Sequence, residues 1–92
     1  MASSELQTDP RLLVLAPEDN IAVARQEVPA GTTVTVAGRP VQLKQALGFG
    51  HKIALRRIAR GERIVKYGAP IGRATANIEL GDYVHNHNVA SD

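Results

Sequence analysis

"IARGERI", residues 58–64, sets an aliphatic residue, two others, a glycine, two more and a second aliphatic. The same order returns as "VPAGTTV" at 28–34, "LGFGHKI" at 47–53 and "IELGDYV" at 78–84. Glycine at a fixed offset is what a tight turn with positive φ demands, and the flanking aliphatics would anchor both limbs of that turn in a core. Each copy is therefore predicted as a turn running into a strand. The intervals between copies are short and unequal, which argues against a solenoid of constant period. The pattern predicts one compact all-β domain of short, irregular strands.

Working outward from these turns, the candidate strands are Leu12 to Ala16, Ile21 to Gln26, Thr32 to Val36, Val41 to Leu43, His51 to Leu55, Arg63 to Tyr67, Arg73 to Asn77 and Tyr83 to Asn88. "APEDN" and "AGRP" supply turn chemistry between them. Residues 43–59, "LKQALGFGHKIALRRIA", have helix-forming composition, but Gly48 and Gly50 stand in the middle. Each costs roughly 1 kcal/mol against Ala in a helix, so strand is the assignment there.

With 92 residues the chain makes one domain with a small core, too shallow to enclose a deep substrate cleft alone. Aromatic residues are 3% and Trp is absent, so the core must come from Val, Ile, Leu and Ala. Such a surface offers no stacking platform for single-stranded nucleic acid. A net charge of +2 is equally weak as an electrostatic footprint, and no nucleic-acid partner is expected. No apolar run approaches the roughly 18 residues of a membrane span. The polar "MASSELQTDP", residues 1–10, is expected to be a disordered leader and not an export signal, leaving residues 11–92 as the folded domain. Without cysteine there is no disulfide framework, which fits a reducing compartment; the expected localisation is cytoplasmic.

The chemistry concentrates in "GDYVHNHN", residues 81–88. In an extended strand alternate side chains share a face, so His85 and His87 would lie together, about 6.6 Å apart along the strand. Two imidazoles so placed can converge on one metal ion or anionic ligand, although a polar exposed strand end has the same sequence. They leave most coordination positions of a divalent ion open, and the remaining ligands would have to come from elsewhere. His51 and Lys52 follow a glycine turn in "GHK" and could reach a carboxylate; Tyr67 precedes "GAPIG"; Arg73 has the fork geometry for a carboxylate. Each also suits an ordinary exposed strand position. Arg56, Arg57, Arg60 and Arg63 form a basic cluster that is either a solvated face or a docking surface for an acidic partner. Asp82, an odd number of residues from both histidines, should face away from them.

Residues 18–88 resemble the amino-terminal SAF-type domain of the altronate and galactarate dehydratases, sugar-acid hydro-lyases. The likeness begins at "EDNIAVARQEVPAGTTV" (18–34) and rests on "GHKIAL" (50–55), "YGAPIGRA" (67–74) and the terminal His-x-His-Asn (85–88), in that order and spacing. It implies a small β-clip (SAF-like) fold and a lyase of the dehydratase type. It implies Fe2+ or another divalent metal held in part by His85 and His87, catalytic roles for His51 and Lys52, and contacts to a sugar-acid substrate from Lys52, Tyr67 and Arg73. It implies a large catalytic subunit or a fused C-terminal domain that completes the site, so the chain alone is expected to be inactive; its uncovered face could also make a homo-oligomer. Two other readings stay open: the small subunit of a related lyase such as sulfolactate sulfo-lyase, and a stand-alone SAF carbohydrate-binding module.

Overall fold

The glycines that recur in the sequence do sit in turns. Gly31, Gly50, Gly61 and Gly81 have φ between +83° and +88°. Each stands third in a turn closed by a main-chain bond: the N–H of Thr32, His51, Glu62 and Asp82 donates to the carbonyl of Pro29, Gly48, Ala59 and Glu79 respectively, at 2.9 to 3.3 Å. A glycine with φ near +80° at that place marks a type II turn. The computed structural model describes residues 7–91. It contains β1 (Leu12–Leu13), β2 (Ile21–Ala24), β3 (Thr33–Val36), β4 (Arg39–Gln42), β5 (Lys52–Ala54), β6 (Arg63–Lys66), β7 (Ala69–Ala74), β8 (Tyr83–Val84) and β9 (Val89–Ala90). The described residues contain no helix, and so none long and apolar enough to cross a membrane. The all-β expectation holds, including for residues 43–59.

All pairings are antiparallel, in sheets ordered β1-β2-β5-β8, β3-β4 and β6-β7-β9. Two-residue turns with positive φ, Ala37–Gly38 and Tyr67–Gly68, join β3 to β4 and β6 to β7. Their twist matches that of the strands they connect. Here the sequence reading is corrected. Tyr67 belongs to a hairpin turn and not to a strand, and the strands after both turns begin at Arg39 and Ala69 instead of Val41 and Arg73. Pro40 and Pro70 each lie on a hairpin limb whose outer side is unpaired at that point, where a missing N–H costs nothing.

The molecule repeats one clip-shaped unit. Val28 bridges Leu47 in the first copy, and Ile58 bridges Ile78 in the second. Between the bridged residues each copy runs turn, strand, hairpin, strand. The second copy holds one residue more, Ile71, left unpaired where the register shifts between β6 and β7. The central four-stranded sheet separates two cores, because neighbouring residues on its strands point to opposite faces. Ala22 and Ile53 join Val28, Val34, Val36, Leu43 and Leu47 on one face; Ile21 and Ala54 join Ile58, Ile64, Ile78 and Val84 on the other. A fully buried Val or Ile of this kind contributes about 1.5–3 kcal/mol by leaving water.

Other boundaries were drawn too long in the sequence, and a polar side chain explains that of β1. β1 stops at Leu13 because the Asp19 carboxylate turns the chain back, accepting the Leu15 and Ala16 N–H at 3.2 Å. It also accepts the Gly68 N–H at 2.7 Å, which ties the second hairpin to this loop. Burial alone would raise the Asp19 carboxyl, but the N–H donors of Gly68, Ala16, Leu15 and Tyr67 outweigh it and hold the group below its ordinary value. Buried Asn20 donates to the Arg63 carbonyl and accepts from the Val65 N–H, both at 2.8 Å, joining β6 to the start of β2. Of the expected leader, residues 1–6 lie outside the described residues. Residues 7–9 are bonded along the first hairpin: Asp9 N–H donates to the Thr35 carbonyl, and Gly38 N–H to that of Gln7.

Candidate functional site

The expected last strand, Tyr83 to Asn88, is broken after Val84, and residues 85–88 form a turn. Asn88 is the cause. It is buried, its Oδ1 accepts the His85 N–H at 2.9 Å, and its Nδ2 donates to the Tyr83 carbonyl at 2.9 Å. Its own N–H donates to the His85 carbonyl, and its carbonyl accepts from Thr75. Strand alternation therefore does not place His85 and His87, and Asn88 does not project outward.

Both histidines nevertheless pack against one ring, that of Tyr83. The Tyr83 ring centroid lies 5.6 Å from that of His85, tilted by 31°, and 6.1 Å from that of His87, at 16° and so nearly parallel. The His51 ring meets the same tyrosine edge-on, at 5.2 Å and 66°. All three histidines of the chain thus surround one half-buried tyrosine at the edge of the central sheet. Tyr83 went unassigned in the sequence, although its spacing from His85 and His87 was the signal that could have found it.

His51 is held by its own turn. Its Nδ1 accepts the Gly48 N–H at 2.9 Å, so in the neutral ring Nε2 carries the proton and is the donor. The turn repeats this device: Glu62 Oε1 accepts from Ala59 N–H, and Asp82 Oδ2 from Glu79 N–H. In the remaining copy the donor position is Pro29, which has no N–H. A Cβ on Gly48 would lie 3.2 Å from the imidazole, so only glycine lets the ring lie over the turn comfortably.

The other expected site residues do not join this cluster. β5 pairs with β8 so that Lys52 faces Val84 and Ile53 faces Tyr83. Lys52 therefore shares the face of Val84 and the second core, while His51 lies with Tyr83 on the opposite face. Tyr67 sits at the tip of the second hairpin, where the Lys66 ammonium lies 5.3 Å from its ring. Arg73 donates from Nη1 to the Gly61 carbonyl at 3.0 Å, which turns it toward the turn at 59–62.

Chemically, the corner presents two exposed imidazoles, one N–H donor and a tyrosine ring. Among the described residues no ring nitrogen of His85 or His87 is hydrogen-bonded within the chain, and neither is needed to hold the turn. Each of these imidazoles has the nitrogen donor that a divalent metal takes from histidine. His51 does not fit while its Nδ1 is an acceptor, because Nε2 then has no lone pair to give. No group of three or more His, Asp or Glu side chains among the described residues is placed to hold an ion. Any metal here takes its remaining ligands from outside these residues.

A family model for the altronate/galactarate dehydratase SAF domain matches residues 10–92. Altronate dehydratase from Escherichia coli is 46% identical over 74 residues, covering 80% of this chain and 15% of that protein. Altronate dehydratase from Bacillus subtilis is 36% identical over 75 residues, covering 82% of this chain and 15% of that protein. The alpha subunit of (2R)-sulfolactate sulfo-lyase from Chromohalobacter salexigens is 44% identical over 48 residues, covering 52% of this chain and 51% of that subunit. The chain thus spans about 15% of the length of the dehydratases it matches.

Proposed function

Because the chain belongs to the altronate/galactarate dehydratase SAF domain family, we propose that it is the small domain or subunit of a sugar-acid dehydratase and supplies one wall of a site that a larger catalytic part completes. The observation that carries this reading is the convergence of His85 and His87 on Tyr83, with their ring nitrogens uncommitted.

Dehydrating a sugar acid removes a weakly acidic proton beside a carboxylate and expels a β-hydroxyl. It needs a base, a positive centre for the enediolate-like charge, and an acid. A divalent ion such as Fe2+, when bound, would supply the positive centre. His85 and His87 are the residues of this chain that would hold it, through their neutral imidazoles. His51 would offer its Nε2–H to a substrate oxygen, a role set by the Gly48 bond that fixes its tautomer. Tyr83 would keep the three rings in register. Lys52, Tyr67 and Arg73 point elsewhere and have no part in this reading.

A second reading shares the proton removal and differs in the leaving group. The sulfo-lyase relative favours it, since the 48 aligned residues are 51% of that subunit, which makes the subunit about the size of this chain. One experiment addresses both. The chain is co-expressed with its larger catalytic polypeptide and assayed with altronate, galactarate and sulfolactate plus iron(II), then again as His85→Ala and His87→Ala. Turnover should require the complex and fall by orders of magnitude in each variant, with the thermal midpoint nearly unchanged. Robust turnover by the chain alone, or undiminished turnover in both variants, would overturn the proposal. The substrate consumed decides between the two leaving groups.

A further inference from the structure

On a different part of the molecule, two shallow depressions join into one groove. The first, about 450 Å3, and the second, about 520 Å3, share Ala37, Leu55 and Arg56. The floor is apolar, with Leu12, Leu13, Leu55 and Leu80 along it. Val14 lines one end, and beside it Leu15 is 62% exposed. The rim is cationic: Arg25, Arg39, Arg56 and Arg57 line the groove, against only Asp19 and Glu79.

The two acids add little negative field. Asp19 spends its carboxylate on main-chain N–H groups, and Glu79 faces Arg57 at 3.4 Å. Arg56 is engaged by Glu62 at 2.6 Å. Arg25 and Arg39 are exposed, and among the described residues neither guanidinium has a hydrogen bond or ion pair. A long apolar floor beneath two unpaired guanidiniums is complementary to a chain that alternates carboxylate and aliphatic side chains.

We propose that this groove docks an acidic, aliphatic-bearing segment of a partner polypeptide, with Arg25 and Arg39 as its charge contacts and Leu13, Leu55 and Leu80 as its apolar seat. The inference stands independently of the dehydratase reading, because it involves neither the histidine corner nor turnover. Charge sets orientation and rate of encounter, while the apolar floor holds the segment once seated.

The test uses the 92-residue chain and an end-blocked peptide of alternating Glu and Val, with Lys–Val and Glu–Ser peptides as comparators. Amide shifts in the NMR spectrum locate the binding. The Glu–Val peptide should shift Arg25, Ala37, Arg39 and Leu55 while leaving residues 85–88 unmoved, and added salt should weaken it. The double variant Arg25→Glu/Arg39→Glu should bind at least about tenfold more weakly at an unchanged thermal midpoint. Arg25→Gln/Arg39→Gln should fall between. Equal binding of the Lys–Val or Glu–Ser peptide, undiminished affinity in the charge-reversed chain, or shifts centred elsewhere would overturn the proposal. So would self-association in the absence of peptide that the double variant abolishes, since the occupant would then be a second copy of the chain.

Discussion

His51 and Asp82 hold equivalent places in two copies of one turn: the imidazole Nδ1 accepts the Gly48 N–H at 2.9 Å, and the carboxylate Oδ2 accepts the Glu79 N–H at 3.0 Å. A single local task, satisfying the first N–H of a type II turn, is thus done by a histidine in one copy and an acid in the other.

This equivalence separates what His51 does for the fold from what it does in a reaction. His51→Asp should restore the acceptor and leave stability close to that of the parent, while His51→Ala should cost about 1 kcal/mol, as for other lost turn and cap acceptors. Urea midpoints of the two variants measure the difference. Equal destabilisation would show that the hydrogen bond is not what matters. In the assembled enzyme, a stable His51→Asp that has lost turnover would assign a chemical role to the Nε2–H.

Asn88 decides where the other two histidines stand. Asn88→Ala would take the partner from the His85 N–H and from the Tyr83 carbonyl, two part-buried groups, at about 1 kcal/mol for each bond lost. Asn88→Asp keeps the acceptor but loses the donor, and should be intermediate. Stability curves and hydrogen exchange at the His85 amide test this together. A stable Asn88→Ala with a protected His85 amide would sink the claim that this side chain shapes the turn.

Asp19 makes the fold acid-sensitive. Its folded carboxyl lies below the ordinary value of 3.8, so its contribution is fully present above about pH 4 and is lost as the pH falls through the lowered folded value. Asp19→Asn should be less stable than the parent at pH 6, and the gap should narrow as the pH falls below 4. Thermal midpoints of both chains from neutral to strongly acidic pH provide the check. A constant gap across that range would mean that the Asp19 charge is not what the loop uses.

Two turn glycines with nearly identical φ should respond differently to alanine. Gly31 has no atom within 4 Å of a built Cβ, so Gly31→Ala should cost only the backbone strain, about 1 kcal/mol. At Gly81 the added Cβ would collide with Val41 Cγ1, which raises the cost further. Removing the obstacle in Gly81→Ala/Val41→Ala should cost less than the sum of the two single changes. Strict additivity would show that Val41 is not the obstacle.

The four glycine turns could be read from sequence because positive φ is a property of a single residue, and only glycine takes it without strain. The all-β class followed from them. The hairpins at Ala37–Gly38 and Tyr67–Gly68 were less legible, because Ala and Tyr adopt positive φ there only where paired strands impose it. The histidines show the division most clearly. Sequence spacing proposed that His85 and His87 share a face by strand alternation; the strand ends at Val84, and each ring packs instead on Tyr83. Alternation is a local rule that holds only while the backbone stays extended. Whether it does is settled by burial of Asn88, whose amide must find partners once it leaves water and finds them at His85 N–H and the Tyr83 carbonyl. The gathering of His51 with them depends on β5 pairing beside β8, a contact between segments some thirty residues apart that no local pattern encodes.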